Sequence, residues 1–148
     1  MDAPAGTGKG VFVLMGFSLS RVQRIARWLA VLLTVSLPLA LWIGGAQPFA
    51  VGLVGAPWDK LAHMAVYAVL ACAIGFASGR HGVSALVLGF LGAMLVGLVD
   101  EASQLRLPGR SAEVDDLVAD AVGAALGISV LAVRIRVREW MAAHTGSQ

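Results

Sequence analysis

Residues 28–46, WLAVLLTVSLPLALWIGGA, form a run of 19 residues without a charged side chain. This length is close to the roughly 20 residues that an α-helix needs to cross the ~30 Å hydrocarbon core of a bilayer. Across the whole chain, 58% of residues are apolar and 14% are charged, whereas a soluble domain carries about 25% charged residues. These proportions argue against a soluble single-domain enzyme and predict a protein embedded in lipid.

Three further segments share the apolar character of the first: residues 61–78, 83–105 and 114–133. Breaks in the pattern separate them, including the polar turn at residues 79–82 and the helix-breaking pair Pro108-Gly109. The 148 residues leave room for four or five spans, without a sizeable domain outside the membrane, and the breaks define four. The predicted fold is therefore all-α, a polytopic membrane protein built as a bundle of four transmembrane helices.

Short segments are predicted to flank this membrane domain, which covers residues 28–133. Residues 1–27 are expected to be a flexible, basic cytoplasmic segment whose first ten residues are disordered, and residues 134–148 a basic cytoplasmic tail. The early apolar run around Met15 is too short to span, and the arginines after it are unlike a signal-peptide cleavage site. Met15 is accordingly a second candidate for the initiator.

The distribution of lysine and arginine predicts the orientation, because cytoplasmic loops retain these residues. Eight of the eleven lie on one side if both termini and the turn at residues 79–82 are cytoplasmic. Lys60, Arg106 and Arg110 then lie outside. The chain lacks the interleaved aromatic residues and the soluble fold of a nucleic-acid-binding protein, so its pI of about 9.2 is attributed to membrane anchoring.

Acidic side chains collect at the predicted outer side. Seven of the nine acids lie there: Asp59, Asp100, Glu101, Glu113, Asp115, Asp116 and Asp120. An ionisable group at membrane depth costs about 2.5 to 3.5 kcal/mol on insertion scales. Several such groups together must therefore form ion pairs, be hydrated or serve the function of the protein.

Helical spacing predicts that these groups converge in an outward-facing polar pocket. The side chains that share a helix face are Asp59, His63 and Tyr67 on the second helix, Glu101 and Gln104 on the third, and Asp116 and Asp120 on the fourth. Arg110, in the loop between the third and fourth helices, can reach over them. Gly123 and Gly127 continue the stripe on the fourth helix and offer a smooth surface for close helix contact.

Four motifs occur in order between residues 58 and 128. They are Asp59-Lys60-x-x-His63-x-x-x-Tyr67, Glu101-x-x-Gln104, Pro108-Gly109-Arg110-Ser111 and Asp116-x-x-x-Asp120-x-x-Gly123-x-x-x-Gly127. This order resembles the VanZ-like family of small bacterial membrane proteins, although the family usually has asparagine where Asp120 stands. The resemblance implies a protein of the cell envelope, located in the cytoplasmic (inner) membrane. It also implies a link to antibiotic resistance, since the founding member is associated with low-level teicoplanin resistance, but no settled reaction.

The pocket residues are assigned candidate roles by their chemistry. The candidate catalytic groups, which would transfer protons or orient water, are His63, Glu101 and Asp116. The candidate substrate- or anion-binding groups are Lys60, Gln104 and Arg110, of which the guanidinium can hold phosphate through two parallel bonds. The remaining polar network consists of Asp59, Tyr67 and Asp120. Asp116 and Asp120 are also the candidates for holding a divalent cation through oxygen ligands.

Several of these groups have a structural alternative. His63 can be a buried histidine bonded to a neighbouring helix, Tyr67 can bond across helices, and Asp59 can cap the second helix. Glu101 can pair with Arg110 as a helix clamp. Two other acids, Glu113 and Asp115, are predicted to be solvated.

Two functional hypotheses follow, and the sequence leaves open whether a reaction is catalysed. In the first, the pocket binds or acts on a phosphorylated lipid or lipid-linked headgroup. In the second, the protein is a non-catalytic scaffold for envelope assembly whose charged cluster locks the helices. We favour the first, because more polar groups meet than a clamp requires. The expected partners are the bilayer, phospholipid headgroups or lipid-linked envelope precursors and a second copy in a homodimer, but not nucleic acid.

Overall fold

The computed structural model describes residues 8–47, 49 and 52–145 of the chain. Within these ranges it contains four α-helices and no β-strand. The helices are α1 (Gly8–Gly45), α2 (Trp58–Ala77), α3 (Val83–Gln104) and α4 (Val114–Thr145). The all-α fold class predicted from the sequence is confirmed.

All four helices contain a segment long and apolar enough to cross a membrane. The candidate spans are Arg21–Gly45, Trp58–Ala77, Val83–Gln104 and Val114–His144. Large apolar side chains cover their outer surface; Trp28 is 73% exposed and Val130 is 66% exposed. So much exposed apolar surface suits contact with hydrocarbon rather than water. The chain is a multi-pass membrane protein.

α2 begins three residues before its predicted span, and two other helices extend much further beyond theirs. α1 begins at Gly8 and passes through most of the segment predicted to be flexible. The first ten residues were predicted to be disordered. Residues 8–10 belong to α1, and residues 1–7 lie outside the described residues. α4 continues to Thr145, so that most of the predicted tail, residues 134–148, belongs to the same helix.

The helix α2 lies at the centre of the bundle and contacts the other three helices. On α4, Gly123 and Gly127 face the backbone of α2, where a β-carbon on Gly127 would collide with the carbonyl oxygen of Ala68. On α3, Gly89 faces the carbonyl of Ala71 in the same way. Small residues thus let the helix backbones approach closely, as is common in lipid. The prediction that the glycines of α4 form a contact surface is confirmed.

A small apolar core separates the two ends of the bundle. Its fully buried members are Tyr67, Leu70, Ala71, Ala93 and Ala124. We call the end where α2 and α4 begin and α3 ends the acidic end. We call the other, where α2 ends and α3 begins, the basic end. Lys60 and Phe76 mark the two ends on α2, and a rise of 1.5 Å per residue separates them by about 24 Å.

Candidate functional site

Polar side chains from three helix ends and one loop meet at the acidic end. All nine sequence-predicted site residues lie there: Asp59, Lys60, His63, Tyr67, Glu101, Gln104, Arg110, Asp116 and Asp120. Asp100 and Glu113 join them. Helical geometry explains the gathering, because residues three or four apart share a helix face and the three faces point at one another.

Lys60 is surrounded by carboxylates. Its Nζ lies 3.3 Å from Asp59 Oδ2 and 2.8 Å from Glu113 Oε2, and it forms a third ion pair with Asp116 Oδ1. We call these four residues the Lys60 cluster. It ties the first turn of α2 to the first turn of α4. Glu113 and Asp115 are both exposed, as predicted, and the Glu113 carboxylate also binds Lys60.

His63 is bonded to α4 through a deeply buried carboxylate. Its Nδ1 lies 2.8 Å from Oδ1 of Asp120, a side chain only 1% exposed. Its Nε2 lies 3.9 Å from Asp116 Oδ2, and its ring stacks on Tyr67 with centroids 6.0 Å apart. Within the described structure, Asp120 Oδ2 and the Tyr67 hydroxyl have no hydrogen-bond partner. The His63–Asp120 pair orients the imidazole and leaves its second nitrogen facing Asp116.

The polar residues at the end of α3 hold the following loop. Gln104 Nε2 donates to Asp100 Oδ2 at 3.2 Å and to Glu101 Oε1 at 3.4 Å. The other oxygen of Glu101 accepts a 2.8 Å bond from the backbone N–H of Glu113. All three side chains of α3 are buried. Asp100 was not among the predicted site residues, although its spacing of four from Gln104 would have found it.

Arg110 is left without a carboxylate partner among the described residues. The Glu101–Arg110 clamp, which was the structural alternative for Glu101, is not formed; Glu101 accepts bonds from Gln104 and from the backbone of Glu113 instead. The Nε of Arg110 is buried and has no hydrogen-bond partner within the described part of the chain. The side chain lines two clefts, of about 280 Å³ and 210 Å³, and His63 lines both as well.

A sequence model of the family described as VanZ/LLP1 matches residues 9–135. The chain belongs to the VanZ/LLP1 family. The match covers every helix of the bundle at least in part, whereas the motif resemblance extends over residues 58–128. No curated protein and no solved structure matches the chain.

In this VanZ/LLP1 chain, Asp59 does not cap α2. The helix begins at Trp58, its N-cap position is Pro57, and no side chain bonds to the free backbone N–H groups there. Asp59 lies inside the first turn and pairs with Lys60 instead. The capping prediction is wrong because the helix starts two residues earlier than an N-cap at Asp59 would require.

Metal binding gains no support from the geometry of the described residues. In residues 8–47, 49 and 52–145, no three His, Cys, Asp or Glu side chains are arranged to hold an ion. The two predicted ligands, Asp116 and Asp120, are engaged by Lys60 and His63.

The acidic end of this VanZ/LLP1 protein thus has two parts with different chemistry. In the Lys60 cluster, the one ammonium group is bound by three carboxylates. Beside it, His63 and Arg110 line clefts, and the Nε of Arg110 is a donor that no described residue engages. The first part can hold helices together, and the second can receive a ligand.

Proposed function

We propose that the clefts beside Arg110 bind the headgroup of a phosphorylated lipid or a lipid-linked envelope precursor. The observation that carries the proposal is the buried Nε of Arg110, which has no partner among the described residues. Leaving such a donor unsatisfied costs about 1 to 3 kcal/mol. A phosphate would satisfy it, because the guanidinium presents parallel N–H groups that match two phosphate oxygens.

The walls of the larger cleft favour an amphiphilic ligand. Its apolar lining includes Leu41 and Trp42 of α1 and Leu53 of the following loop. Its polar lining includes His63, Asp100, Gln104 and Arg110. The volume of about 280 Å³ is near the lower end for ligand pockets, roughly 300 to 1,000 Å³. A headgroup fits such a space, with its acyl chains left in the bilayer.

The hydrogen bonds of the acidic end refine the candidate roles. His63 is the proton-transfer group, oriented by Asp120 and with Asp116 close to its second nitrogen. Glu101 holds the loop that carries Arg110. Lys60, which the sequence suggested as an anion-binding group, stabilises the helix ends, because its ammonium group is already bound by three carboxylates.

Arg110→Gln is expected to weaken lipid binding about tenfold, because it removes one charge-assisted phosphate contact. The melting temperature in detergent should stay within about 2 °C, since no described ion pair is lost. Binding of phosphorylated lipids to purified protein and a thermal melt measure the two effects. The control is Arg106→Gln, which removes the same charge from an exposed side chain of the same loop. Equal binding by both variants would contradict the proposal.

A second candidate function is the non-catalytic scaffold, and the Lys60 cluster favours it. Ion pairs between α2 and α4 are what a structural helix clamp requires. The partner would then be an envelope-assembly protein or a second copy of the chain. This function predicts that His63→Ala and Glu101→Gln, which remove hydrogen bonds to α4 and to the loop before it, lower abundance and melting temperature together. The headgroup function predicts that Arg110→Gln alters teicoplanin susceptibility of an expressing strain at normal abundance.

We further propose that the protein lies in the cytoplasmic membrane with both termini in the cytoplasm and the acidic end facing outward. The concentration of lysine and arginine away from the acidic end supports this orientation. An alkaline phosphatase reporter attached after residue 108 should be active, and one attached within the turn at residues 79–82 should be silent. The reverse pattern would overturn the topology.

A further inference from the structure

A cleft of about 660 Å³ at the basic end is lined by five arginines. They are Arg24, Arg27, Arg80, Arg134 and Arg138. No aspartate or glutamate lines the cleft, and none of the five arginines forms an ion pair with a carboxylate of the described residues. The positive-inside rule explains why arginines lie at one end of the bundle. It does not require two helices and a turn to direct them into one cavity.

Two of these side chains are held in place by contacts with the end of α2. Arg27 Nε donates to the backbone oxygen of Ala77 at 3.2 Å. The guanidinium of Arg134 lies over the ring of Phe76, 4.1 Å from its centroid. Gly79, with a φ of +66°, makes room for Arg27, since a β-carbon at that position would collide with its guanidinium. These two cations are therefore positioned before any ligand arrives, which lowers the entropy cost of binding.

An apolar groove of about 610 Å³ adjoins this cleft. It lies between α1, α2 and α4, and its walls include Leu29, Cys72 and Val130. The two cavities share Phe76, Leu131 and Arg134. The groove extends from the basic end into the spans, at the depth where a bilayer is hydrocarbon. Together, the cleft and the groove place clustered cations next to an apolar surface.

We propose that the basic end is a binding site for an anionic phospholipid, with its phosphate in the arginine cleft and an acyl chain in the apolar groove. Five cations without an acidic residue in the lining favour a lipid of net negative charge over a zwitterionic one. Free phosphate would leave the groove empty, whereas an anionic phospholipid places its phosphate among the arginines and an acyl chain in the groove. The site is separate from the clefts at Arg110, which lie at the opposite end.

The experiment uses the purified full chain in detergent and native mass spectrometry. The probes are phosphatidylglycerol and phosphatidylcholine with identical acyl chains. We expect the wild-type protein to retain phosphatidylglycerol at least about tenfold better, and Arg134→Gln to reduce that retention about tenfold. The control is Arg136→Gln, which removes the same charge from the same end of α4 but from a residue outside the cleft. It should change retention less than about twofold.

Three results would contradict an anionic-phospholipid site at the basic end. Equal losses in Arg134→Gln and Arg136→Gln would show that the arginines act as diffuse charge and would overturn the site. Equal retention of both lipids by the wild type would also overturn it. If inorganic phosphate raises the melting temperature as much as phosphatidylglycerol does, the ligand is a soluble anion and the lipid assignment is wrong. Should Arg134→Gln fail to fold, Arg24→Gln serves instead, because this exposed arginine lines the same cleft from α1.

Discussion

Replacing Gly127 with alanine is expected to lower the free energy of unfolding by about 3 kcal/mol or more, at the upper end of the range for overpacked cores. The added β-carbon would occupy the position of the Ala68 carbonyl on α2. A clash with a flexible side chain could be relieved by a rotamer change, whereas this clash is with backbone. The whole of α4 would have to move away from α2, and the contacts of the shared core, including Tyr67 and Leu70, would loosen with it.

The sign of the Gly127→Ala effect makes it a stringent test. Alanine is favoured over glycine inside a helix by about 1 kcal/mol. Replacing a helical glycine whose added β-carbon would touch nothing should therefore stabilise the protein. Gly44→Ala is the matched control, since a β-carbon on Gly44 of α1 meets nothing within 4 Å. Thermal unfolding in detergent, followed by circular dichroism, measures both. Stabilisation by Gly127→Ala would contradict the close approach of α2 and α4.

Replacing Lys60 with methionine is expected to destabilise the protein by about 2 kcal/mol, less than the 3 to 5 kcal/mol typical of a broken buried pair. The reduction reflects the 25% exposure of the lysine side chain, which lets solvent screen part of the interaction. Without the ammonium group, the carboxylates of Asp59, Glu113 and Asp116 would repel one another. Their repulsion would push the first turn of α4 away from α2.

A second substitution should rescue this loss. In Lys60→Met combined with Asp116→Asn, one of the three negative charges is gone, and we expect at least about half of the lost stability to return. Arg106→Met is the control, because it removes a cation from the same end of the bundle without breaking a described ion pair. Chemical unfolding in mixed detergent micelles measures the three proteins. If Lys60→Met were as stable as the wild type, the Lys60 cluster would not be a clamp.

Much of the fold could be predicted because it depends on local composition. An uncharged run such as residues 28–46 must be helical in lipid, where every backbone polar group needs an internal partner. The gathering of His63, Asp116 and Asp120 could also be predicted, since a spacing of three or four residues defines a helix face. The boundaries were less predictable, because apolar and basic stretches can both continue a helix, and α4 does so beyond residue 133.

Partner choice within the acidic end could not be predicted. The sequence places Glu101 and Arg110 near each other, but Glu101 accepts bonds from Gln104 and the Glu113 backbone. Likewise, Glu113 faces solvent, as its position predicts, but its ion pair with Lys60 on another helix was not predicted. Helical period identifies the face on which a side chain lies. It carries no information about the rotation and depth of the neighbouring helix, which decide the atoms that come within 3 Å.

By itself, the sequence determined that this chain spans a membrane four times, with its charges sorted between two ends, because hydropathy and helical period are properties of the local chain. Only the tertiary structure decided how those charges are used. Close packing through Gly123 and Gly127 sets the relative position of α2 and α4. That position engages Lys60 with carboxylates, leaves Arg110 facing a cleft, and directs arginines from separate elements into one cavity.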